Sequence, residues 1–385
     1  MADPLPIGVV GLGQRGLQHL RALWTLQEQG KTRVVAICDA FESNLDEQKI
    51  ASFVPGISFD GIVKTTNFDD VLNAGLKALY FAIPPGLHDG QLMKAARAGI
   101  HIFAEKPQSL FLDEAIEMGE EIEKAGVIST VGFQRRYESQ STTIHAFMAD
   151  RRPVMTTIVN EGFLEAHSVK HTDTGSMGGP KDNVWAKSFE WSGSTVVEAG
   201  IHQTDLMRFW MGDIVWTQSA YVPRDETDIE DGGDNPYSYT VTYGFENGAV
   251  GNLIMSRLRK VYRNDGYINV IWDHGHLKLE GDDVTAYYYD GAYPPENRPG
   301  PNEIRHPVPT PPARDTTLEI AKAFVEAVVT ENHNPLLSTY ESSLNSLAAV
   351  LAANFSHELG GERIVLSELL SSETYANFRE KKKPT

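Results

Sequence analysis

The chain has 385 residues, 41% hydrophobic and 22% charged, the balance of a globular protein long enough for more than one core. With 52 acidic against 34 basic residues the net charge is -18, which repels nucleic-acid phosphate and anionic lipid and excludes both as expected partners. No apolar run approaches the ~18 residues of a membrane span. The first strand-like run starts at Pro6, leaving no room for a signal peptide, and the single cysteine, Cys38, rules out an internal disulfide, so a cytoplasmic location is expected.

Short apolar runs separated by helix-compatible sequence open the chain: "IGVVGLG" from Ile7, "RVVAICD" from Arg33, "ALYFAIPP" from Ala78, "HIFAEKP" from His101 and "GVISTVGF" from Gly126. Continuously apolar strands joined by helices indicate a parallel sheet covered on both faces, a doubly wound α/β domain over residues 1–135. Residues 136–385 change character. The runs "VMTTIVNEGFL", "SYTVTYGF", "GAVGNLIMSRL", "GYINVIW" and "DVTAYYY" partly alternate, and "ENG" (Glu246 to Gly248) reads as a hairpin turn. A second α/β domain with a large open, mostly antiparallel sheet follows, its first helix expected to carry "EAGIHQTDL" (Glu198 to Leu206). Eight prolines between Pro294 and Pro312 predict an irregular surface arm. The final amphipathic segments, "TTLEIAKAFVEAVV" and "SSLNSLAAVLAANFSHEL", are helices that can pack back near the first domain.

The turn Gly11-Leu12-Gly13-Gln14-Arg15-Gly16 has the G-x-G-x-x-G spacing, follows a strand, opens a helix and is followed by Asp39 at the end of the next strand. That context predicts a dinucleotide cradle. The glycines allow the tight turn, the approach of backbone to pyrophosphate and close helix packing, and Asp39 accepts from the adenosine ribose. Asp39 also repels a 2′-phosphate, and no Lys or Arg occurs from Ala40 to Gln48, so NAD is favoured over NADP; Arg15 is the one residue of the turn that argues the other way. At the next two strand ends stand Ile83, Pro84 and Pro85 with His88, then Glu105 and Lys106. His88 either contacts cofactor or makes a structural hydrogen bond in its loop. Pro107 biases Lys106 towards extended backbone, aiming its stem over the sheet edge where a nicotinamide lies. If "EAGIHQTDL" is one helix, Glu198, His202 and Asp205 share a face.

These motifs, with "VGFQRRY", occur in this order in the Gfo/Idh/MocA oxidoreductases, the family of glucose–fructose oxidoreductase and inositol dehydrogenase, which the chain resembles over nearly its whole length. The resemblance implies a Rossmann domain followed by an α/β domain whose open sheet face forms a homodimer or homotetramer. It pairs Lys106 with His202 across the substrate, with Glu198 standing where similar inositol dehydrogenases have Asp, and Asp205 as a carboxylate that orients His202. Oxidation of an alcohol needs a base near neutral pKa, which an unperturbed His202 supplies, and a donor to the developing alkoxide, which Lys106 supplies. Which of the two takes the proton stays open. Glu198 binds a neighbouring hydroxyl.

Trp185, Trp191, Trp210 and Trp216 cluster around this stretch, and aromatic faces suit the C–H faces of sugars and cyclitols; Trp185 is the candidate lining residue, with Lys187, Gln134 and Arg135 as further substrate contacts. His167, His171 and Asp173 have ligand-like spacing, but the segment reads as a loop and no metal is expected. The expected activity is NAD-linked oxidation of a carbohydrate or cyclitol hydroxyl. The alternative is a redox-neutral glycosidase with tightly held NAD; the intact Lys106 and His202 argue against a noncatalytic regulator.

Overall fold

The computed structural model describes residues 3–164, 185–230, 232–259, 264–289 and 304–380. A first sheet is built from β1 (Leu5–Val10), β2 (Thr32–Cys38), β3 (Val63–Thr65), β4 (Ala78–Phe81), β5 (His101–Ala104) and β6 (Ser129–Val131), all parallel, in the order 3-2-1-4-5-6. β4 and β5 are almost wholly buried, as strands covered on both faces must be. Strand order reverses between β1 and β4, which opens a crevice at their carboxyl ends. Helix α1 (Gln14–Glu28) starts there with Gly13 as N-cap and no side-chain cap, so its first N–H groups face the crevice.

The second sheet has nine strands: β7 (Pro153–Phe163), β8 (Ile214–Val222), β9 (Ser238–Phe245), β10 (Val250–Leu258), β11 (Asp265–Trp272), β12 (Gly275–Glu280), β13 (Asp283–Tyr288), β14 (Arg305–Val308) and β15 (Ile364–Val365). Their order is 14-13-12-11-7-10-9-8-15, antiparallel except for the β7–β10 pair. The Glu246–Gly248 turn joins β9 to β10, with Gly248 at φ +86°. One face is covered by the helix Tyr340–Glu358 and by the helix Ile201–Met211, burying Tyr239, Val241, Tyr243, Leu253 and Met255. On the other face Val222 and Tyr267 are 54% and 55% exposed, and Ile254 and Leu258 are also open. The helix Thr316–Thr330 returns to the first sheet and packs on α1.

Two sequence expectations change. The proline-rich arm is not wholly irregular: Arg305–Val308 forms β14, with Pro307 opposite Thr285. Proline is tolerated there because β14 is an edge strand. "EAGIHQTDL" is also not on the first helix of its region, since the helix Ser139–Met148 precedes β7, and it is not one helix. A short helix Thr195–Glu198 ends at Ala199, and a second, Ile201–Met211, begins after Gly200. A Cβ on Gly200 would meet the Val196 carbonyl oxygen at 2.6 Å and the Met255 sulfur at 3.0 Å, so only glycine lets the chain sit this close to β10.

Candidate active site

The crevice is closed by direct backbone approach. A Cβ on Gly11, at φ +86°, would meet the Ala82 carbonyl oxygen at 2.3 Å, and one on Gly16 would meet the Gly11 oxygen at 1.8 Å. Asp39 is buried behind the turn: Leu12 N–H donates to its Oδ2 at 2.6 Å, while Phe41 N–H and Asn44 Nδ2 donate to Oδ1, each at 3.0 Å. Two nitrogens of the Arg15 guanidinium are spent on protein, Nε donating to Glu105 Oε1 at 2.7 Å and Nη1 to Gln18 Oε1 and Thr317 Oγ1, both at 2.9 Å, while Nη2 is enclosed without a partner among the described residues. The sequence window free of cations ends one residue too early. Lys49 lies next to it and donates to Asn44 Oδ1 at 2.6 Å, beside Asp39. Burial lowers the Lys49 ammonium's pKa, against the pull of Asp39 and Asp46.

At the end of β5, Glu105 is buried and ionised. Burial alone would raise its carboxyl, but Arg15, His19 and Lys106 hold it well below the usual carboxylate range. Lys106 projects across the crevice to the second region, where its Nζ donates to Glu198 Oε1 at 2.9 Å and to the Glu198 carbonyl oxygen at 2.7 Å. The carboxylate expected to bind a substrate hydroxyl is therefore also the partner of the lysine.

His202 stands one turn further on, half-buried, with its ring edge-on to Phe133 and its Nδ1 enclosed without a partner among the described residues. Burial, then the charges of Lys106 and Arg135, push its imidazole well below the usual histidine range. The unperturbed base that the sequence suggested is thus a ring held neutral. Asp205 does not orient it. Asp205 is 1% exposed and takes both Arg136 Nε and Nη2 at 2.7 Å and Ser346 Oγ at 2.8 Å. The Gly200 break and the burial of this face turn the carboxylate into the core rather than towards the imidazole.

Of the adjacent arginines in "GFQRRY", Arg135 faces the crevice, bonding Glu138 at 2.8 Å, and Gln203 Oε1 accepts from its Nη1 at 3.3 Å when the amide is assigned by its hydrogen-bond network. Arg136 turns inward. Gln134 Oε1 is enclosed without a partner among the described residues. The turn Trp185–Lys187 packs against the Thr195–Glu198 helix, with Trp185 half-buried and Lys187 buried. Trp210 donates to the Ser141 carbonyl oxygen at 3.1 Å and is core, and Trp216 lies under the Arg363 guanidinium at 4.1 Å; neither joins the cluster. His88 is buried in its loop. His167, His171 and Asp173 lie outside the described residues. Sequence reading missed Arg136 and His19. The second was accessible, because His19 follows Arg15 by four residues on α1 and so shares its face.

The glycine turn, buried Asp39 and open helix start fit a dinucleotide. Residues 5–133 match the family model described as oxidoreductase family, NAD-binding Rossmann fold, and residues 158–361 match the one described as oxidoreductase family, C-terminal alpha/beta domain. The chain belongs to the Gfo/Idh/MocA oxidoreductase family. It is 26% identical over 278 residues to scyllo-inositol 2-dehydrogenase (NAD(+)) of Bacillus subtilis (strain 168), covering 72% of this chain and 74% of that protein. It is 29% identical over 275 residues to myo-inositol 2-dehydrogenase of Thermotoga maritima, covering 70% and 74%. In fold it is similar to an oxidoreductase from Agrobacterium radiobacter solved with NAD+, L-tartaric acid and magnesium, at TM-score 0.72 and 15% identity over 96% of this chain and 100% of that one. Like its Gfo/Idh/MocA relatives, the protein is an oxidoreductase with an NAD-binding Rossmann region, and no described helix is long and apolar enough to cross a membrane.

Proposed function

We propose that this protein is an NAD-dependent dehydrogenase that oxidises a hydroxyl-bearing carbon of a cyclitol or sugar, with residues 1–135 holding the cofactor and residues 136–385 the substrate. The observation that carries this reading is the Lys106–Glu198 pair beside His202 at the carboxyl edge of the first sheet. The inositol dehydrogenases among its relatives support the substrate class. NAD, when bound, supplies the hydride acceptor. The chain's own groups do the rest. Lys106 Nζ holds the reacting oxygen and stabilises its charge as the proton leaves. His202, neutral near pH 7, accepts that proton. Glu198 fixes the Lys106 ammonium and presents its second oxygen to a neighbouring hydroxyl. Gln134, Arg135, Trp185 and Lys187 line the approach.

NAD is preferred over NADP in this reading because Asp39, at the end of β2, would accept from a ribose hydroxyl and repel a 2′-phosphate, and because Arg15 Nε is committed to Glu105. The test is a panel of inositols and aldoses with NAD or NADP, followed by absorbance of the reduced cofactor. Turnover with NAD on a cyclitol or sugar is expected. A higher kcat/KM with NADP would overturn the cofactor choice, and cleavage of a glycoside without net reduction would replace the dehydrogenase by the redox-neutral glycosidase.

Self-association on the open face of the second sheet belongs to the same proposal, since a broad face carrying Val222, Ile254, Leu258 and Tyr267 is rarely left to water. Light scattering at micromolar concentration should give a dimer or tetramer mass; a monomer mass would remove this part.

A further inference from the structure

His19 is fully buried in α1 in an aromatic box. Its ring centroid lies 4.8 Å from that of Phe103 and 5.2 Å from that of Tyr80, and those two rings stack on each other at 4.1 Å. Its Nδ1 is enclosed with no partner among the described residues. Among the described residues its one polar link is Nε2, 2.6 Å from Glu105 Oε1. A leucine or phenylalanine would fill such a box without enclosing an unpaired nitrogen, so packing does not account for an imidazole here.

The link leads to the lysine. Glu105 Oε1 accepts from both His19 and Arg15, and Oε2 accepts the backbone N–H of Lys106 at 3.1 Å. The carboxylate is also pressed on the β6 end, where a Cβ on Gly132 would meet Oε1 at 2.5 Å. Glu105 is therefore a brace tying α1, the β5 end and the β6 end together at the residue before Lys106. We propose that His19 is a positioning residue for Lys106: its Nε2–H fixes the Glu105 carboxylate, which in turn fixes where the lysine stem leaves the sheet edge. Burial, then Arg15, lowers the imidazole to about 4, against the pull of Glu105, so near neutrality His19 is a neutral donor and the brace keeps one geometry through the physiological range. This inference rests on the reading that Lys106 holds the reacting oxygen.

The test compares His19→Leu, His19→Gln and Lys106→Ala with the wild type, by NAD affinity, by crystal structures of the NAD-bound proteins, and by kcat and KM on the polyol oxidised fastest. In His19→Leu, Lys106 Nζ should leave Glu198 and kcat should fall about 10²-fold through misplacement alone, with NAD affinity within about threefold. His19→Gln, which presents an amide N–H near the position of Nε2, should restore both the lysine geometry and most of kcat. An undisplaced Lys106 in the His19→Leu crystal structure overturns the inference, as does an equal loss in His19→Leu and His19→Gln. Should His19→Leu fail to fold, His19→Asn against His19→Gln keeps the question: the shorter amide should fail to reach Glu105 and displace Lys106. Near-normal kcat in Lys106→Ala would instead overturn the functional reading beneath it, while loss there with an undisturbed His19→Leu would sink only this proposal.

Discussion

Two carboxylates seven residues apart, Glu198 and Asp205, each pair with a cation, Lys106 from the first region and Arg136 from the start of the second, and the two pairs are built differently. In the Lys106–Glu198 pair the side chains are 11% and 18% exposed, and Glu198 Oε2 has no partner among the described residues. In the Arg136–Asp205 pair they are 7% and 1% exposed, the carboxylate takes a fork of two N–H groups plus the Ser346 hydroxyl, and Arg136 also bonds the Leu337 carbonyl. A pair whose two carboxylate oxygens are both taken, beneath packed side chains, cannot turn towards a ligand. A pair at a cleft wall with an acceptor left over can. The row of titratable groups thus divides between a cleft-wall pair at Glu198, ahead of the break at Ala199–Gly200, and a core pair at Asp205, beyond it.

The comparison is broken most severely at the residue between the pairs. His202→Ala should lower kcat roughly 10²–10⁴-fold with NAD affinity intact, measured by steady-state kinetics and a separate binding titration; near-normal kcat would leave Lys106 as the proton acceptor. Because burial and neighbouring cations push the His202 pKa well below the usual histidine range, the wild-type ring is neutral near physiological pH. Its kcat/KM should therefore run level through that pH and fall only well below it, whereas a rise through alkaline pH would point to the lysine. Asp205→Ala sharpens the contrast from the other side. It strands a buried guanidinium, at a cost of about 3–5 kcal/mol in stability by denaturant unfolding. The fraction that folds should keep kcat within about tenfold. A large kcat loss without loss of stability would return Asp205 to the catalytic group.

What could be read from the chain was whatever its near neighbours determine. β9 coincides with the run from Ser238 to Phe245, and the glycine turn and Lys106 were marked by residues within a few positions of each other. β8 escaped because its pairing with β9 shifts between Ile214 and Trp216, which breaks the two-residue alternation that reveals a half-covered strand. β12 is short and follows β11 by a turn of only Asp273 and His274. The choice between Arg135 and Arg136 is made by Asp205 and Leu337, 69 and 201 residues away from Arg136, and no local pattern carries it. The same holds for Lys49, which the fold of the β2 end brings beside Asp39.

The helix Thr316–Thr330 gives the first sheet a history as well as a shape. Phe324 meets Tyr80 and Phe103 edge-on, at 5.6 Å and 5.7 Å between centroids, and Thr317 bonds the Arg15 of the glycine turn. The cover of these strands is thus synthesised long after the strands themselves. Roughly 200 residues separate Val131 from Thr330, about 10–40 s of translation at ordinary speeds. For that interval the rings of β4 and β5 wait without their lid, and the nascent protein is open to chaperones on the side that the mature enzyme hides. A gene cut at the apparent seam near residue 135 would make that interval permanent.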